Sequence, residues 1–261
     1  MSDADVRTLV QRLYGARAQD PTAPLPNTAH VLGYSKEDTA NAEAANLGLG
    51  CGNPTALAEL TAGDVVIDLG SGSGFDALVA APKLGEEGRF IGVDMTVEML
   101  EKARAHAVEA GFARTLEFRE GQIEALPVTD ARADVVISNC VINLSTDKAQ
   151  VFREAFRVLK PGGRLAVSDI VLSAPLPAGL SDMAASWLTC IGGASSEAEY
   201  LGYIRAAGFV DVSFTRTPAA SLLEGFLSDP IVQTAVQTFG SEAIERVADT
   251  VFSYAIRARK P

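Results

Sequence analysis

Histidine is nearly absent from this chain of 261 residues, with only His30 and His106. That leaves little for a histidine-rich zinc or iron centre, and both are expected on the surface or in structural roles. Cysteine is scarce too. Cys51, Cys140 and Cys190 are odd in number and far apart, which does not make a disulfide framework. Basic residues are outnumbered, 22 Lys and Arg against 33 Asp and Glu, for a net charge of −11. A nucleic-acid binder needs the opposite balance. No stretch approaches 18 apolar residues, so no transmembrane helix is expected. The start, MSDADVRTLVQRLYGARAQD, has acids where a signal peptide needs bases. The expectation is a reduced, cytoplasmic, soluble protein without membrane or nucleic-acid partners, and a monomer. With 48% hydrophobic residues the chain can bury a substantial core.

The periodicity predicts an amphipathic helix over 4–18, broken by Pro21, Pro24 and Pro26, and a second helix over 36–47. A glycine-dense turn around Cys51 follows. From 65 to 169 strands and helices alternate. Strands are expected at 65–69, 89–94, 115–120, 134–139 and 163–169, with helices at 75–83, 97–111 and 148–160. Such alternation implies a parallel sheet with right-handed crossovers. Further on, helices are expected at 179–189, 196–207 and 219–248, with strands at 209–215 and 251–260. The last strand lets a mostly parallel sheet finish antiparallel. The division expected is a core over 1–175 and a smaller C-terminal α+β region over 176–261.

The sharpest motif is Asp68-Leu69-Gly70-Ser71-Gly72-Ser73-Gly74, between a predicted strand and a predicted helix. Alternate glycines permit a tight turn and let a ligand approach the backbone, while the helix start offers free N–H groups. Asp94 ends the next strand, where a carboxylate can accept from both hydroxyls of a ribose. The spacing Gly72-x-Gly74-x-x-Ala77 also satisfies a dinucleotide fingerprint. Against it weigh the acid two residues before the first glycine and the late antiparallel strand.

The motifs DLGSGSG, VDM and LKPGGRLAVSD resemble those of the class I S-adenosylmethionine-dependent methyltransferases. The resemblance implies a Rossmann-like α/β fold. It assigns the methionine end of the cofactor to Asp68, Gly70, Ser71, Gly72 and Gly74, and the ribose to Asp94 beside Met95. It frames adenine with Gln122 and Ile123, with Glu124 as a weaker candidate, and counts Asn139 among the cofactor residues.

A lone cysteine is ordinarily a small buried hydrophobe. These three have other settings. Cys51 lies on a glycine-rich loop, Cys140 follows the C-terminal end of a parallel strand, and Cys190 opens CIGGA. Open α/β sheets bind their ligands at such strand ends. Three thiols without histidine suit a soft element taking three ligands. Trivalent arsenic, with three bonds and a lone pair, fits a pyramidal trithiolate. Its lone pair needs no general base before attacking a sulfonium methyl.

The blocks YG near the start, GCGNP, SNCVINLSTDK and WLTCIGGA resemble the arsenite S-adenosylmethionine methyltransferases over about residues 10–216. In that family the cysteines at these positions bind arsenic, and here each position is cysteine. The resemblance implies methylated and dimethylated arsenicals as products, hence arsenic detoxification. There are two departures. No cysteine precedes Cys51, so a thiol reductant such as glutathione or thioredoxin is the expected substitute for an internal relay. Thr189 stands where relatives often carry an acid before the third cysteine. Two rivals stay open: a C- or O-methyltransferase of a small molecule, and a non-catalytic arsenical-binding protein. Trp187 and Phe156 are expected in the core, and Glu199 on a solvated helix face.

Overall fold

The structure is a computed structural model describing residues 2–20, 29–176, 179–180, 183, 186–187, 189–219 and 230–261. Continuous apolar runs form the centre of a seven-stranded sheet, because strands covered on both faces need no polar alternation. They are β1 (Val65–Leu69), β2 (Arg89–Asp94), β3 (Leu116–Glu120), β4 (Ala133–Asn139) and β5 (Leu159–Leu172), followed by β6 (Val210–Pro218) and β7 (Val251–Arg259). The spatial order is β3-β2-β1-β4-β5-β7-β6. Pairings from β3 to β5 are parallel, and β7 runs antiparallel to both neighbours. This is the α/β, mostly parallel sheet that the sequence predicts. Because β6 and β7 complete it, the boundary expected at 175 falls within the chain that builds one sheet.

Helices cover both faces. On one side α4 (Phe75–Leu84) and α5 (Val97–Glu109) bury Leu78, Leu84, Leu100 and Ala103 against Val66, Phe90 and Val135. On the other, α6 (Lys148–Val158) and α7 (Glu197–Ala206) bury Phe152, Val158, Tyr200 and Ile204 against Ile67, Val136 and Val167. Before β1 stand α1 (Asp3–Gln19), α2 (Lys36–Thr39) and α3 (Pro54–Leu57). After β6 come α8 (Pro230–Phe239) and α9 (Ser241–Ala248). Serine capping boxes start α1, α2 and α7, so the sequence marks where each begins.

Two expectations change. The helix expected over 36–47 stops at Thr39 and resumes only as a 3-10 turn, Glu43–Ala45. Its alanines are needed elsewhere: Ala42 and Ala45 are fully buried, and the Ala45 carbonyl accepts the Ser73 hydroxyl at 2.6 Å. The helix expected to reach 160 ends at Val158, because Pro161 disfavours helix at the residue before it. The Pro-Gly-Gly segment then joins β5 (Leu159–Leu172) and pairs with the chain end through Gly162 N–H to Lys260 O. Positions 181, 182, 184, 185 and 188 of the helix expected over 179–189, and positions 220–229 of the one expected over 219–248, lie outside the described residues. Among the described residues no helix is long and apolar enough to cross a membrane.

Candidate active site

The strand order reverses between β1 and β4, the place where open α/β sheets leave a crevice beyond their strand ends. One cleft opens there. It is lined by Asp68, Gly70, Ser71 and Gly72 at the end of β1 and beyond it, Asp94 and Met95 at the end of β2, Ile123 and Glu124 after β3, and Asn139 and Cys140 at the end of β4. Cys51, Cys190 and Tyr14 of α1 complete the lining. The two ends of the cleft differ in chemistry.

At the first end the glycine loop turns through left-handed residues, Gly70 at φ +74° and Gly72 at φ +50°. A Cβ on Gly72 would meet nothing nearer than the Met99 sulfur at 4.0 Å, so the backbone there is bare. Asp94 accepts the N–H groups of Gly72 at 2.9 Å and Thr96 at 2.8 Å, which fixes its carboxylate at the cleft wall. Asp68 is 2% exposed, and no hydrogen-bond donor among the described residues reaches its carboxylate. Burial, with Asp76 and Asp94 nearby, pushes its pKa well above the usual carboxylate range. A ligand bearing an ammonium would supply both the missing charge and the missing donors.

Two expected cofactor residues are placed elsewhere. Gly74, at φ +86°, caps α4 and lies against Ala103 and Phe118, so it packs helices rather than lining the cleft. Gln122 is exposed and bridges to Ala125, leaving Ile123 and Glu124 at the cleft wall. A local turn explains the exchange, since its bridge between Gln122 and Ala125 leaves the two residues at its tip, Ile123 and Glu124, facing inward. Periodicity carries no signal of it.

At the other end the three cysteines meet. All are buried and free. The Cys51 and Cys140 sulfurs and one Asp169 oxygen lie within 4.8 Å of one another. The Cys190 thiol donates to the Cys140 carbonyl at 2.9 Å, and the Tyr14 hydroxyl lies 3.5 Å from the Cys190 sulfur. Cys140 and Cys190 both have left-handed backbones, φ +60° and +59°, which few non-glycine residues adopt. The loop of Cys51 is fastened on both sides: its N–H donates to Asn139 Oδ1 at 3.0 Å, and its carbonyl accepts the Ser253 hydroxyl. Burial pushes the Cys51 thiol up to about 11, although contact with Cys140 acts in the opposite direction. Contact with Cys140 and burial likewise raise Cys190. For Cys140 the Cys190 contact lowers the pKa, but the Cys51 contact and burial outweigh it. All three are therefore neutral thiols at neutral pH.

Asp169, towards the C-terminal end of β5, is a further residue of the site that the sequence does not single out. Its carboxylate is fully buried and accepts from Asn143 Nδ2 at 2.9 Å, Ile170 N–H at 2.9 Å and the Tyr200 hydroxyl at 2.7 Å. Burial still raises its pKa to about 6. An aspartate inside an apolar strand was the available signal. Between about pH 4 and 6 the folded state holds this proton more tightly than the unfolded state, so the ionised form costs stability as pH rises. Relative to the wild type, Asp169→Asn should thus gain melting temperature from pH 5 to pH 8. The ceiling is about 3 kcal/mol for a shift of this size. A pH-independent difference would rule out the raised pKa.

The remaining candidates behave as packing or surface. His106 Nδ1 pairs with the Ser73 carbonyl at 2.9 Å, His30 and Glu199 are exposed, and Glu199 closes the capping box of α7. Trp187 packs with Val6 and Val10 of α1, and Phe156 edge-on against Phe209. Thr189 lines the cleft beside Cys190.

A methyltransferase-domain family model matches residues 60–208, which contain the glycine loop, β2 to β5 and two of the cysteines. The chain is 31% identical to an arsenic(III) S-adenosylmethionine methyltransferase from Chlamydomonas reinhardtii of known crystal structure. That match covers 90% of this chain and 73% of the other, with a TM-score of 0.59. This chain belongs to the arsenite S-adenosylmethionine methyltransferase family. Among the family's curated members, arsenite methyltransferase of Halobacterium salinarum is 43% identical over 231 residues, 88% of this chain and 55% of that protein. The Homo sapiens enzyme of that name is 39% identical over 209 residues, 74% of this chain and 55% of that protein. The chain thus spans about half the length of these arsenite methyltransferases.

Proposed function

We propose that this protein transfers methyl groups from S-adenosylmethionine to trivalent arsenic held by Cys51, Cys140 and Cys190. The observation that carries the reading is the meeting of three buried free thiols, from three distant segments, in the cleft that also holds the glycine loop. Neutral thiols suit arsenite. Three of them exchange with As(OH)₃ to give As(SR)₃ and three waters, the thiol protons leaving with the hydroxides. Raised thiol pKa values therefore cost nothing in loading and protect the empty site from oxidation.

The acidic end fits the donor: Asp68 faces the place of the methionine ammonium, and Asp94 that of the ribose. Ile123, Glu124 and Met95 form the wall for adenine. When bound, the donor supplies an electrophilic methyl on a sulfonium. The three sulfurs fix the arsenic so that its lone pair points along the cleft, and holding two reactants in line contributes most of the rate. No side chain need remove a proton from arsenic. Methyl transfer raises arsenic from the trivalent to the pentavalent state. Two electrons from external thiols, oxidised to a disulfide with loss of two protons, restore it. Glutathione or thioredoxin is the class of reductant proposed.

The test is incubation of the reduced protein with arsenite, thiol and S-adenosylmethionine, followed by arsenic speciation. Mono- and dimethylated species are expected. Recovery of arsenite alone would leave an arsenical-binding protein instead. Turnover that survives serine at all three cysteines would point to a carbon or oxygen acceptor.

A further inference from the structure

Methylation of arsenic moves charge as well as carbon. In As(SR)₃ the arsenic is neutral. Transfer forms an As–C bond from the arsenic lone pair, breaks the donor's C–S bond and returns that electron pair to sulfur. Positive charge thus leaves the donor and stays on the methylated, pentavalent arsenic until two electrons arrive from the thiol reductant. The two ends of the cleft act on that charge in opposite ways. At the donor end Asp68 and Asp76, both buried, stand with Asp94 along the lining. Asp76 accepts from the Tyr34 hydroxyl at 2.6 Å and from Asn139 Nδ2 at 3.0 Å. Acids there favour positive charge where the donor binds, and so oppose its departure.

At the thiol end stands Asp169, fully buried, with one oxygen within 4.8 Å of the Cys51 and Cys140 sulfurs. Besides burial and the contacts among the thiols, its charge raises the pKa of Cys51, Cys140 and Cys190 alike. Its own value of about 6 leaves it ionised at neutral pH. Three neutral groups hold it: Oδ1 accepts from Asn143 Nδ2 and the Ile170 N–H, and Oδ2 from the Tyr200 hydroxyl. An ionised carboxylate offers about four lone-pair sites, so these bonds fix its direction without filling it. Lys148 is the cation acting on it, but that ammonium donates to the Ser145 carbonyl at 3.1 Å. A buried carboxylate held by neutral donors alone burdens the fold unless a positive charge comes to it.

We propose that the Asp169 carboxylate stabilises the positive charge that develops on arsenic as the methyl group arrives. This rests on the arsenic reading of the cleft. The carboxylate is oriented before the reaction and shielded from water, the conditions under which a fixed charge contributes most to rate. Its part is electrostatic, with no proton taken and no bond formed. Loading is neutral throughout, since As(OH)₃ and three thiols give As(SR)₃ and three waters, so arsenite affinity owes Asp169 little.

Asp169→Asn removes the charge and keeps the contacts: the amide oxygen can accept from Asn143 and Ile170, and its NH₂ can donate to the Tyr200 hydroxyl. In reduced protein preloaded with arsenite, single-turnover transfer from S-adenosylmethionine should slow at least about tenfold, and by as much as about 100-fold. Calorimetric affinities for arsenite and S-adenosylhomocysteine should stay within about threefold of wild type. A smaller loss of rate would overturn the proposal. So would an arsenite affinity that falls in step with the rate, which marks a structural role. A loss confined to arsenite loading would overturn it too, making Asp169 a proton acceptor for the thiols.

A second measurement needs no arsenic. At fixed pH, alkylation of Cys51 and Cys140 by iodoacetamide, followed by peptide mass mapping, should be at least about threefold faster in Asp169→Asn, because the thiolates lose a neighbouring negative charge. One charge would thus slow the thiols and speed the methyl transfer. Unchanged alkylation in a variant of a wild type that does methylate arsenite would overturn the proposal alone. A wild type that methylates no arsenite would overturn it together with the arsenic reading.

Discussion

Cys140→Ser is expected to abolish methylation of arsenite and methylarsenite alike, by at least about 100-fold, the scale of a misplaced reactant. Its sulfur neighbours both other thiols, and its backbone is fixed by the N–H bond to the Ser168 carbonyl at 2.7 Å. Serine keeps that bond and most of the volume but supplies no soft ligand. Cys51→Ser should differ in kind. Methylarsenite has only two exchangeable ligands, which Cys140 and Cys190 can satisfy, whereas inorganic arsenite takes all three thiols. Loss of Cys51 should therefore damage the first methylation far more than the second. Speciation from each substrate separately measures this, and equal losses would refute the division.

Gly70→Ala should be the most damaging change at the donor end. Gly70 is left-handed, and an alanine Cβ there would stand 2.4 Å from Val141 Cγ1, on the residue after Cys140. The left-handed conformation costs about 1–2 kcal/mol, and the overlap about 1–3 kcal/mol more. The strain must move the glycine loop or the end of β4, so affinity for S-adenosylhomocysteine and chemical stability should fall together. Gly72→Ala is the control, with comparable φ and open space around the new Cβ. It should cost only the conformational part. Similar losses for the two would show that the contact with Val141 is unimportant.

What could be read from the sequence follows from how local each determinant is. Val65–Leu69 and Arg89–Asp94 match the expected strands residue for residue, because short, mostly apolar runs next to glycine or aspartate turns have one good solution. The glycine loop and the three cysteines were legible for a similar reason: their residue types are rare and their settings unusual. The outward direction of Gln122 is not legible in the sequence because it depends on a single turn. Tyr34 and Asp76 carry no sign of a site role in the sequence, and Asp169 shows only as an acid in an apolar strand. Each is an ordinary side chain given its role by a partner far along the chain, Asn139 for Tyr34 and Asp76, and Asn143 and Tyr200 for Asp169. The break of the helix after Thr39 was hidden likewise, since alanine favours helix until the glycine loop claims its carbonyl.

The left-handed backbones of Cys140 and Cys190 have a consequence beyond placing sulfur. At either position glycine would relax a strain of about 1 kcal/mol or more, and serine or alanine would not. The residue best for folding and the residue best for holding arsenic are thus different at two of the three proposed ligand positions. A chain under pressure for durability alone would drift towards glycine there and gain melting temperature as it lost its thiols. Keeping both cysteines is a standing trade of robustness for reactivity, written into two backbone angles.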